Sequence, residues 1–175
     1  QISKETDRML SLVEDMLKLS QLENTTELNR TNVDLVETAQ SVAESLEPLI
    51  KNKNINMQIQ GAGQVYADQK HIYELIKNLV ENAVKYNIEN GTVNVDISEN
   101  ADKTTLVVSD SGIGIESKHL SRIFERFYRA DNSRSRTTGG TGLGLSIVKH
   151  ICNLYGAELS LTSKLSAGTT VTVVF

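Results

Sequence analysis

A run of four glycines in six residues lies directly before an apolar helical pattern near the end of the chain, and it limits the possible architectures more than any other stretch. The run is Gly139-Gly140-Thr141-Gly142-Leu143-Gly144-Leu145, and a helix is predicted from about Leu143 to Leu154. Glycine-rich backbone at a helix N-terminus presents N–H groups that bind anions. A P-loop is excluded because no Gly-Lys-Ser/Thr follows. The alternative is a flexible hinge without a ligand.

The other patterns predict a mixture of helices and strands. Helices are predicted at 1–23, about 34–51, about 68–86 and 143–154, with a short one around 120–127. Alternating apolar residues predict strands at 55–60, 93–98, 105–109, 158–162 and 169–175. Asp68 is a plausible N-cap, Gly156 a plausible helix stop, and Pro48 is expected to kink its helix. We predict an α+β two-layer sandwich, a mixed sheet covered by three helices and preceded by a long N-terminal helix.

The helix at 68–86 carries polar residues at helical spacing beside its apolar stripe. At about 100° per residue, Asn78, Asn82 and Lys85 share one face. Amide oxygens suit Mg²⁺, and a lysine one turn on can meet phosphate charge. The alternative is that these side chains only face solvent.

A carboxylate and two glycines follow the strand at 105–109, in Asp110-Ser111-Gly112-Ile113-Gly114-Ile115. Asp110 can accept a hydrogen bond from the amino group of adenine, and the glycines allow close approach of the base. A simple turn is the alternative. The later stretch at about 116–142 is long and rich in Ser, Thr, Arg and Gly, which is typical of a functional lid.

In this order the three segments resemble the N, G1 and G2 boxes of the GHKL ATPases, a superfamily that includes gyrase, a heat-shock chaperone, histidine kinases and mismatch-repair proteins. Residues 123–129 (IFERFYR) resemble the F box of histidine kinases, and residues 12–23 (LVEDMLKLSQLE) resemble the second helix of their dimerisation domain. The resemblance covers residues 31–175, approximately. The chain as a whole is similar to phosphate-sensor-type kinases of bacteria. It implies the GHKL/Bergerat fold, with a dimerisation-domain helix at 1–28 and an ATP-binding catalytic domain at 29–175.

The resemblance also implies the ligands, Mg²⁺ and ATP, and the residues that hold them. Asn82 would coordinate the metal with help from Asn78, and Asn78, Lys85 and Arg129 would serve phosphoryl transfer. Thr169 would support Asp110, and the rest would contact the nucleotide. The complete expected ATP-binding set is Asn78, Asn82, Lys85, Tyr86, Asp110, Gly112, Gly114, Ile115, Arg129, Gly140, Thr141, Gly142, Leu143, Gly144 and Thr169.

The expected reaction is transfer of the γ-phosphoryl group to a histidine of the dimerisation domain. None of His71, His119 and His150 lies in the family's acceptor motif, so we expect this chain to be a fragment that lacks the acceptor. Hydrolases of the superfamily carry a glutamate where Asn78 stands, and an amide cannot deprotonate water. Nearby Glu81 is expected to pair with a charged neighbour instead. The alternatives are a serine kinase of the anti-sigma type and a nucleotide-binding module without phosphotransfer.

Composition bears on partners and location. A net charge of −4 argues against nucleic acid as a partner. Met9, Leu12, Met16 and Leu19, with Ile2 and Val13, form a heptad-like seam that predicts a homodimer through the N-terminal helix, although an amphipathic helix packed on its own domain has the same pattern. The resemblance implies a response-regulator receiver domain as partner, and any membrane attachment would come from parts outside this chain. The single cysteine, Cys152, is predicted to be a packing residue. Because it cannot form an internal disulfide, it is consistent with a reducing compartment such as the cytoplasm, where we expect this chain to lie.

Overall fold

The computed structural model describes residues 2–24, 27–130 and 140–175, without the side chains of residues 2–5, 7 and 8. The helices are α1 (Ile2–Asn24), α2 (Leu35–Ser45), α3 (Glu47–Asn52), α4 (Gln69–Lys85), α5 (Ser117–Leu120) and α6 (Gly144–Tyr155). The strands are β1 (Arg30–Asp34), β2 (Asn56–Gly61), β3 (Gln64–Asp68), β4 (Thr92–Glu99), β5 (Thr104–Asp110), β6 (Glu158–Lys164) and β7 (Gly168–Val174).

Five strands form a mixed sheet in the order β2-β4-β5-β7-β6. The β2–β4 pair is parallel, and the other pairs are antiparallel. The register of β5 on β7 sets Asp110 opposite Thr169. Val93, Val95 and Ile97 alternate into the core, as the period of two predicts. Helices α2, α4 and α6 bury their apolar faces in the same core, which confirms the predicted sandwich with three covering helices.

Helix α4 supplies the centre of the helical layer. Its apolar stripe is buried along its full length, from Ile72 to Val84. The helix begins as predicted, because the Asp68 carboxylate accepts from the Lys70 N–H at 2.9 Å. The stripe fixes the rotation of α4 and therefore decides which of its polar residues face outward.

The helix predicted at 34–51 is two helices. The Asp34 carboxylate caps α2 by accepting from the N–H groups of Val36 at 2.8 Å and Glu37 at 3.0 Å. The break falls at Leu46, and Pro48 stands in the first turn of α3, where its missing N–H costs no helical hydrogen bond. Proline therefore starts a new helix rather than kinking the end of one.

A second, two-stranded sheet was not predicted. Strand β1 pairs antiparallel with β3. The Tyr155 hydroxyl accepts from the Asp68 N–H at 3.0 Å and lies 2.8 Å from His71 Nδ1. Burial is the main cause that lowers the pKa of His71. Tyr155, the last residue of α6, therefore contacts both the N-cap and the first turn of α4.

The short helix of the predicted lid lies earlier in the chain than expected. Helix α5 spans Ser117–Leu120, and turns follow at 121–127, where a helix was expected. Phe127 has a φ of 62°, which ends any continuing right-handed helix. Residues 131–139 of the lid, including Gly139, lie outside the described residues. Helix α6 ends as predicted at Gly156, whose φ is 66°.

Helix α1 packs on the domain by one side only. Leu19 and Leu22 are buried in the common core. Met9, Leu10, Val13, Met16 and Leu17 are 49–67% exposed. The interpretation of α1 as an amphipathic helix packed on its own domain therefore holds at Leu19 and Leu22, and the homodimer through the rest of the seam stays a prediction. Within the described ranges, no helix has the length and apolar character needed to cross a membrane.

Cys152 lies on the buried side of α6 and is 1% exposed, which confirms its prediction as a packing residue. Burial raises the pKa of its thiol to about 12, so the reactive thiolate is scarce in the folded protein.

Candidate functional site

A cavity of about 860 Å³ opens between α4, the loop after β5, the lid and α1. Thirteen of the expected nucleotide-binding residues line it, namely Asn78, Asn82, Lys85, Tyr86, Asp110, Gly114, Ile115, Arg129, Gly140, Thr141, Gly142, Gly144 and Thr169. Gly112 and Leu143 are buried beside it. The Leu143 side chain belongs to the core, so only its backbone is available to a ligand. The fold thus brings together segments from three distant parts of the sequence.

Asp110, the last residue of β5, lines the cavity. Its Oδ1 accepts from the N–H groups of Gly112 at 2.8 Å and Thr169 at 3.3 Å. Both bonds go to one oxygen, which leaves Oδ2 to accept from a ligand. Burial raises the pKa of Asp110, and the two backbone hydrogen bonds oppose that rise.

Thr169 contacts Asp110 through its backbone. Its backbone N–H contacts Asp110, whereas its hydroxyl lies 2.8 Å from the Ser163 hydroxyl. The preceding Gly168 has a φ of 91°, and a Cβ there would lie 1.8 Å from the Asp110 carbonyl oxygen. The close approach of β7 to the end of β5 therefore requires glycine.

The glycines after Asp110 are required by protein backbone as well as by any ligand. A Cβ on Gly112 would lie 2.4 Å from the Tyr86 carbonyl oxygen, and a Cβ on Gly114 would lie 2.0 Å from the Lys164 carbonyl oxygen. The neighbouring Ile115 N–H donates to Ser163 Oγ at 2.8 Å. This wall is fixed by close packing before a ligand arrives.

The polar face of α4 forms the side of the cavity. The Asn78 Nδ2 donates to the Glu74 carbonyl at 2.8 Å, so its Oδ1 remains available as an acceptor. A Cβ on Gly144 would lie 2.9 Å from this Oδ1, which shows how closely α6 approaches α4. Lys85 forms an ion pair with Glu81 at 2.6 Å, which confirms the expected pairing of Glu81.

Lys53, the residue after α3, was not predicted as a site residue. Its ammonium group lies at the C-terminal end of α4. The Lys53 Nζ donates to the carbonyl of Asn87 at 3.0 Å and to that of Lys85. A cation there complements the helix dipole. Burial lowers the pKa of Lys53. Nothing in the sequence distinguishes this residue, because it lies in a polar loop far from every motif.

The glycine-rich segment and the lid line another part of the cavity. Arg129 donates to the Gly140 carbonyl, and the Phe127 N–H donates to the Gly142 carbonyl at 3.0 Å. Tyr128, next to Arg129, has its hydroxyl 2.6 Å from His119 Nδ1. His119 and Tyr128 also line the cavity and were not predicted as site residues.

Helix α1 contributes a further side that was not predicted. Ser11, Glu14, Asp15 and Lys18 line the cavity. Asp15 Oδ2 accepts from the Thr141 hydroxyl at 2.6 Å, and Lys18 lies 3.3 Å from Glu74. These contacts join residues more than 50 positions apart, so no local pattern could have identified them.

The charges around the cavity nearly cancel. Six carboxylates line it, from Glu14, Asp15, Glu74, Glu81, Asp110 and Glu116, against five cations from Lys18, Lys53, Lys77, Lys85 and Arg129. Among the residues whose positions are described, no three His, Cys, Asp or Glu side chains are grouped to hold a metal ion. A metal at this site would therefore depend on amide oxygens and on the ligand itself.

The fold and the site define an α+β nucleotide-binding domain whose cavity is lined by a carboxylate and by a glycine-rich turn. Residues 67–175 match the family model described as "Histidine kinase-, DNA gyrase B-, and HSP90-like ATPase". The match covers more than half of the chain, and the chain belongs to this family. Membership of this ATPase family supports ATP binding, as the resemblance implied.

Relatives narrow the comparison to sensor kinases. The chain is 36% identical to the sensor histidine kinase YkoH of Bacillus subtilis (strain 168) over 174 residues, covering 99% of this chain and 38% of YkoH. It is also 36% identical to the phosphate regulon sensor protein PhoR of Pseudomonas aeruginosa over 179 residues, covering 100% of this chain and 40% of PhoR. Because the two identities are equal, a phosphate-sensor subtype is not distinguished.

A solved structure shares the fold over nearly the whole chain. Full-length ShkA in complex with AMPPNP superimposes with a TM-score of 0.81 at 28% identity, covering 96% of this chain and 35% of ShkA. The similarity includes α1, which the family model does not. The chain spans about two fifths of the length of the curated relatives named above.

Proposed function

We propose that this chain binds Mg-ATP in the cavity and presents the γ-phosphoryl group to a histidine of a dimerisation domain, as part of a two-component sensor kinase. One observation carries the proposal. A single cavity is lined both by Asp110, which keeps one carboxylate oxygen for a ligand, and by Asn78, Lys85 and the glycine-rich turn at 140–144. This combination of groups matches a ligand that has both a base and phosphates.

Base recognition depends on Asp110. Its Oδ2 can accept from the exocyclic amino group of adenine, and guanine offers a carbonyl oxygen at that position, which a carboxylate repels. Val108, Ile113 and Val171 supply apolar surface along the same wall. The buried carboxylate therefore favours adenine over guanine.

The residues on α4 fit a magnesium ion. Asn78 keeps Oδ1 as an acceptor because its Nδ2 is engaged by Glu74, and Asn82 lies one turn further along the same face. Mg²⁺ takes few protein ligands and completes its shell with water and phosphate oxygens. The carboxylates and cations that line the cavity nearly cancel, so they leave the phosphate charge largely uncompensated. A bound magnesium ion would neutralise part of that charge. Asn82, assisted by Asn78, would hold it.

The polar groups favour transfer to a protein over hydrolysis. Asn78 stands where a water-activating carboxylate would be needed, and Glu81 is engaged by Lys85 at 2.6 Å. Lys85 and Arg129 are placed to neutralise charge that develops during transfer, and positioning of the phosphate does the rest. The site therefore holds ATP for an acceptor that comes from outside the cavity.

The decisive experiment mixes this chain with ATP labelled at the γ-position, Mg²⁺ and a separate helix hairpin that bears the family's histidine. We expect label on the hairpin, and none when its histidine is replaced by glutamine. The matched negative control is Asp110→Ala, which should bind ATP about 30-fold more weakly because a charge-assisted hydrogen bond is lost. Tight binding of ATP without any label on histidine would contradict the kinase function. Label on serine would favour the anti-sigma type, whose members lack a helix like α1.

Helix α1 supports the proposed place of this chain in a larger kinase. We infer that residues 1–28 belong to the dimerisation domain and that residues 29–175 form the catalytic domain. The exposed side chains of Met9, Val13 and Met16 offer an apolar face for a second copy. The phosphoryl group would pass on to a response-regulator receiver domain in the cytoplasm. Val13→Asp in the dimerisation domain completed by its first helix should shift a sedimenting dimer to monomer; an unchanged dimer would contradict this interface.

A further inference from the structure

We propose that Asp15 of α1 is a positioning residue for the phosphate end of the site. Acting through Thr141, it holds the glycine-rich turn in a state that binds triphosphate weakly, so that docking of α1 and binding of phosphate oppose each other. The inference rests on the proposed function, because it concerns how strongly the same cavity binds ATP.

A short chain of hydrogen bonds connects α1 to the turn. The Thr141 hydroxyl donates to Asp15 Oδ2 at 2.6 Å and accepts from the Leu143 N–H at 3.3 Å. A carboxylate can only accept, so the hydroxyl proton is committed to Asp15. The hydroxyl oxygen then faces the Leu143 N–H. Asp15 thus decides the direction of both bonds.

The Leu143 N–H belongs to the group of donors that phosphate would use. Leu143 is the N-cap of α6, which has no side-chain cap. The N–H groups at such an end lack partners within the helix and bind anions. With Asp15 in place, one of these donors and the Thr141 hydroxyl are occupied by protein groups. Phosphate must compete with them.

The charge of α1 acts in the same direction. Asp15 and Glu14 both line the cavity, and Asp15 contacts the glycine-rich turn through Thr141. Lys18 does not offset them there, because it pairs with Glu74 of α4 at 3.3 Å. Carboxylates and phosphates repel each other, and the repulsion is strongest where water is partly excluded. A docked α1 therefore disfavours the triphosphate end more than the base end.

The contact involves a firmly packed element. Leu19 and Leu22 anchor the C-terminal half of α1 in the core, and Glu23 pairs with Arg126 of the lid. Coupling between two binding events is reciprocal. If Asp15 weakens triphosphate binding, triphosphate weakens the hold of the turn on α1 by the same factor. The helix that carries the exposed apolar face would then respond to the nucleotide.

The test compares ATP with adenosine. Asp15→Asn keeps the size and an acceptor and removes the charge. With Mg²⁺ present, we expect calorimetry to show ATP binding about 5-fold tighter, at the low end of coupling factors between sites, and adenosine binding unchanged. The control Asp102→Asn removes the same charge at the exposed β4–β5 turn and should change neither affinity. Thr141→Ser keeps the hydroxyl and should behave as the unaltered protein.

Two outcomes would overturn the inference. One is an unchanged or lower ATP affinity in Asp15→Asn while the unaltered protein binds ATP. The other, measured on the unaltered protein, is slower amide hydrogen exchange in residues 11–18 when ATP is added; we expect faster exchange. If the unaltered protein binds neither ATP nor adenosine, the proposed function fails instead, so the two failures are distinguishable.

Discussion

The Lys85 ammonium lies 2.6 Å from the Glu81 carboxylate, one turn earlier on α4, at the side of the cavity where phosphates are expected. The pair must open for Lys85 to reach a phosphate. Partly exposed pairs of this kind are worth about 0.3–1 kcal/mol. We therefore expect Glu81→Gln to bind ATP about 2- to 5-fold more tightly, as measured by calorimetry.

The matched change is Lys85→Met, which keeps the length of the side chain and removes the charge. It should weaken ATP about 10-fold or more, because a cation that meets phosphate is lost. Adenosine affinity should be unaffected in both variants. Weaker ATP binding by Glu81→Gln would mean that the carboxylate holds Lys85 in its working position rather than away from it.

Asn82 is expected to account for the magnesium dependence of binding. Removing its amide in Asn82→Ala should make the ATP affinity with Mg²⁺ equal to that with a chelator, since the ion needs this oxygen to join protein and phosphate. Nucleotide displacement assays with and without Mg²⁺ measure the difference. Asn153→Ala on the exposed side of α6 is the control. A magnesium effect that survives in Asn82→Ala would remove Asn82 from the metal site.

The buried carboxylate of Asp110 should make stability depend on pH. Its raised pKa means that the folded protein holds this proton more tightly than the unfolded chain does. Stability therefore falls as pH rises from the ordinary carboxyl pKa through the raised one. Asp110→Asn keeps an oxygen for Gly112 and Thr169 and carries no charge. We expect its Tm at pH 7 to exceed that of the unaltered protein by about 2 °C.

The advantage of Asp110→Asn should shrink as pH falls through the raised pKa of the native carboxyl, because the native side chain then also becomes neutral. Thermal melts followed by circular dichroism between pH 4 and pH 7.5 measure this. A difference in Tm that is constant over the range would show that Asp110 is not the group responsible.

The contact between Tyr128 and His119 should matter for transfer more than for binding of the base. Their 2.6 Å contact lies within the lid, and Tyr128 precedes Arg129. Tyr128→Phe removes one hydrogen bond worth about 1 kcal/mol, so phosphoryl transfer should slow about 5-fold. Adenosine affinity should not change. Single-turnover transfer to the histidine hairpin measures the rate, and His119→Gln, which offers another polar partner, should recover part of it if the hydrogen bond is the cause.

The central features of the fold could be predicted because they are local. The stripe of α4 and the amides beside it follow from helical geometry, and the strands of the main sheet show clear alternation. Strands β1 and β3 were missed because each has only five residues, of which β1 buries one and β3 buries two. Their pairing depends on contacts between residues 38 apart, such as Arg30 and Asp68.

The lid shows a different limit of prediction. Ile123 is buried, as an apolar helical face would require, yet the chain turns at Phe127 with a positive φ. The Phe127 N–H bonds to the Gly142 carbonyl, a partner that follows from tertiary structure alone. Asp15 and Thr141 are likewise 126 positions apart. Such contacts decide how the site is regulated, and the sequence pattern around each residue carries no sign of them.

The burial of Leu19 and Leu22 sets the free energy that is needed to move α1 relative to the rest of the chain. Both leucines lie in the core that also holds α4 and α6, so α1 shares its hydrophobic core with the rest of the chain. Rotation of α1 about its own axis would withdraw them, at a cost of roughly 2 kcal/mol for each side chain. Small thermal twists of the helix are therefore absorbed without effect. A rotation of α1 that changes the contact between Asp15 and Thr141 must therefore supply the free energy of exposing Leu19 and Leu22.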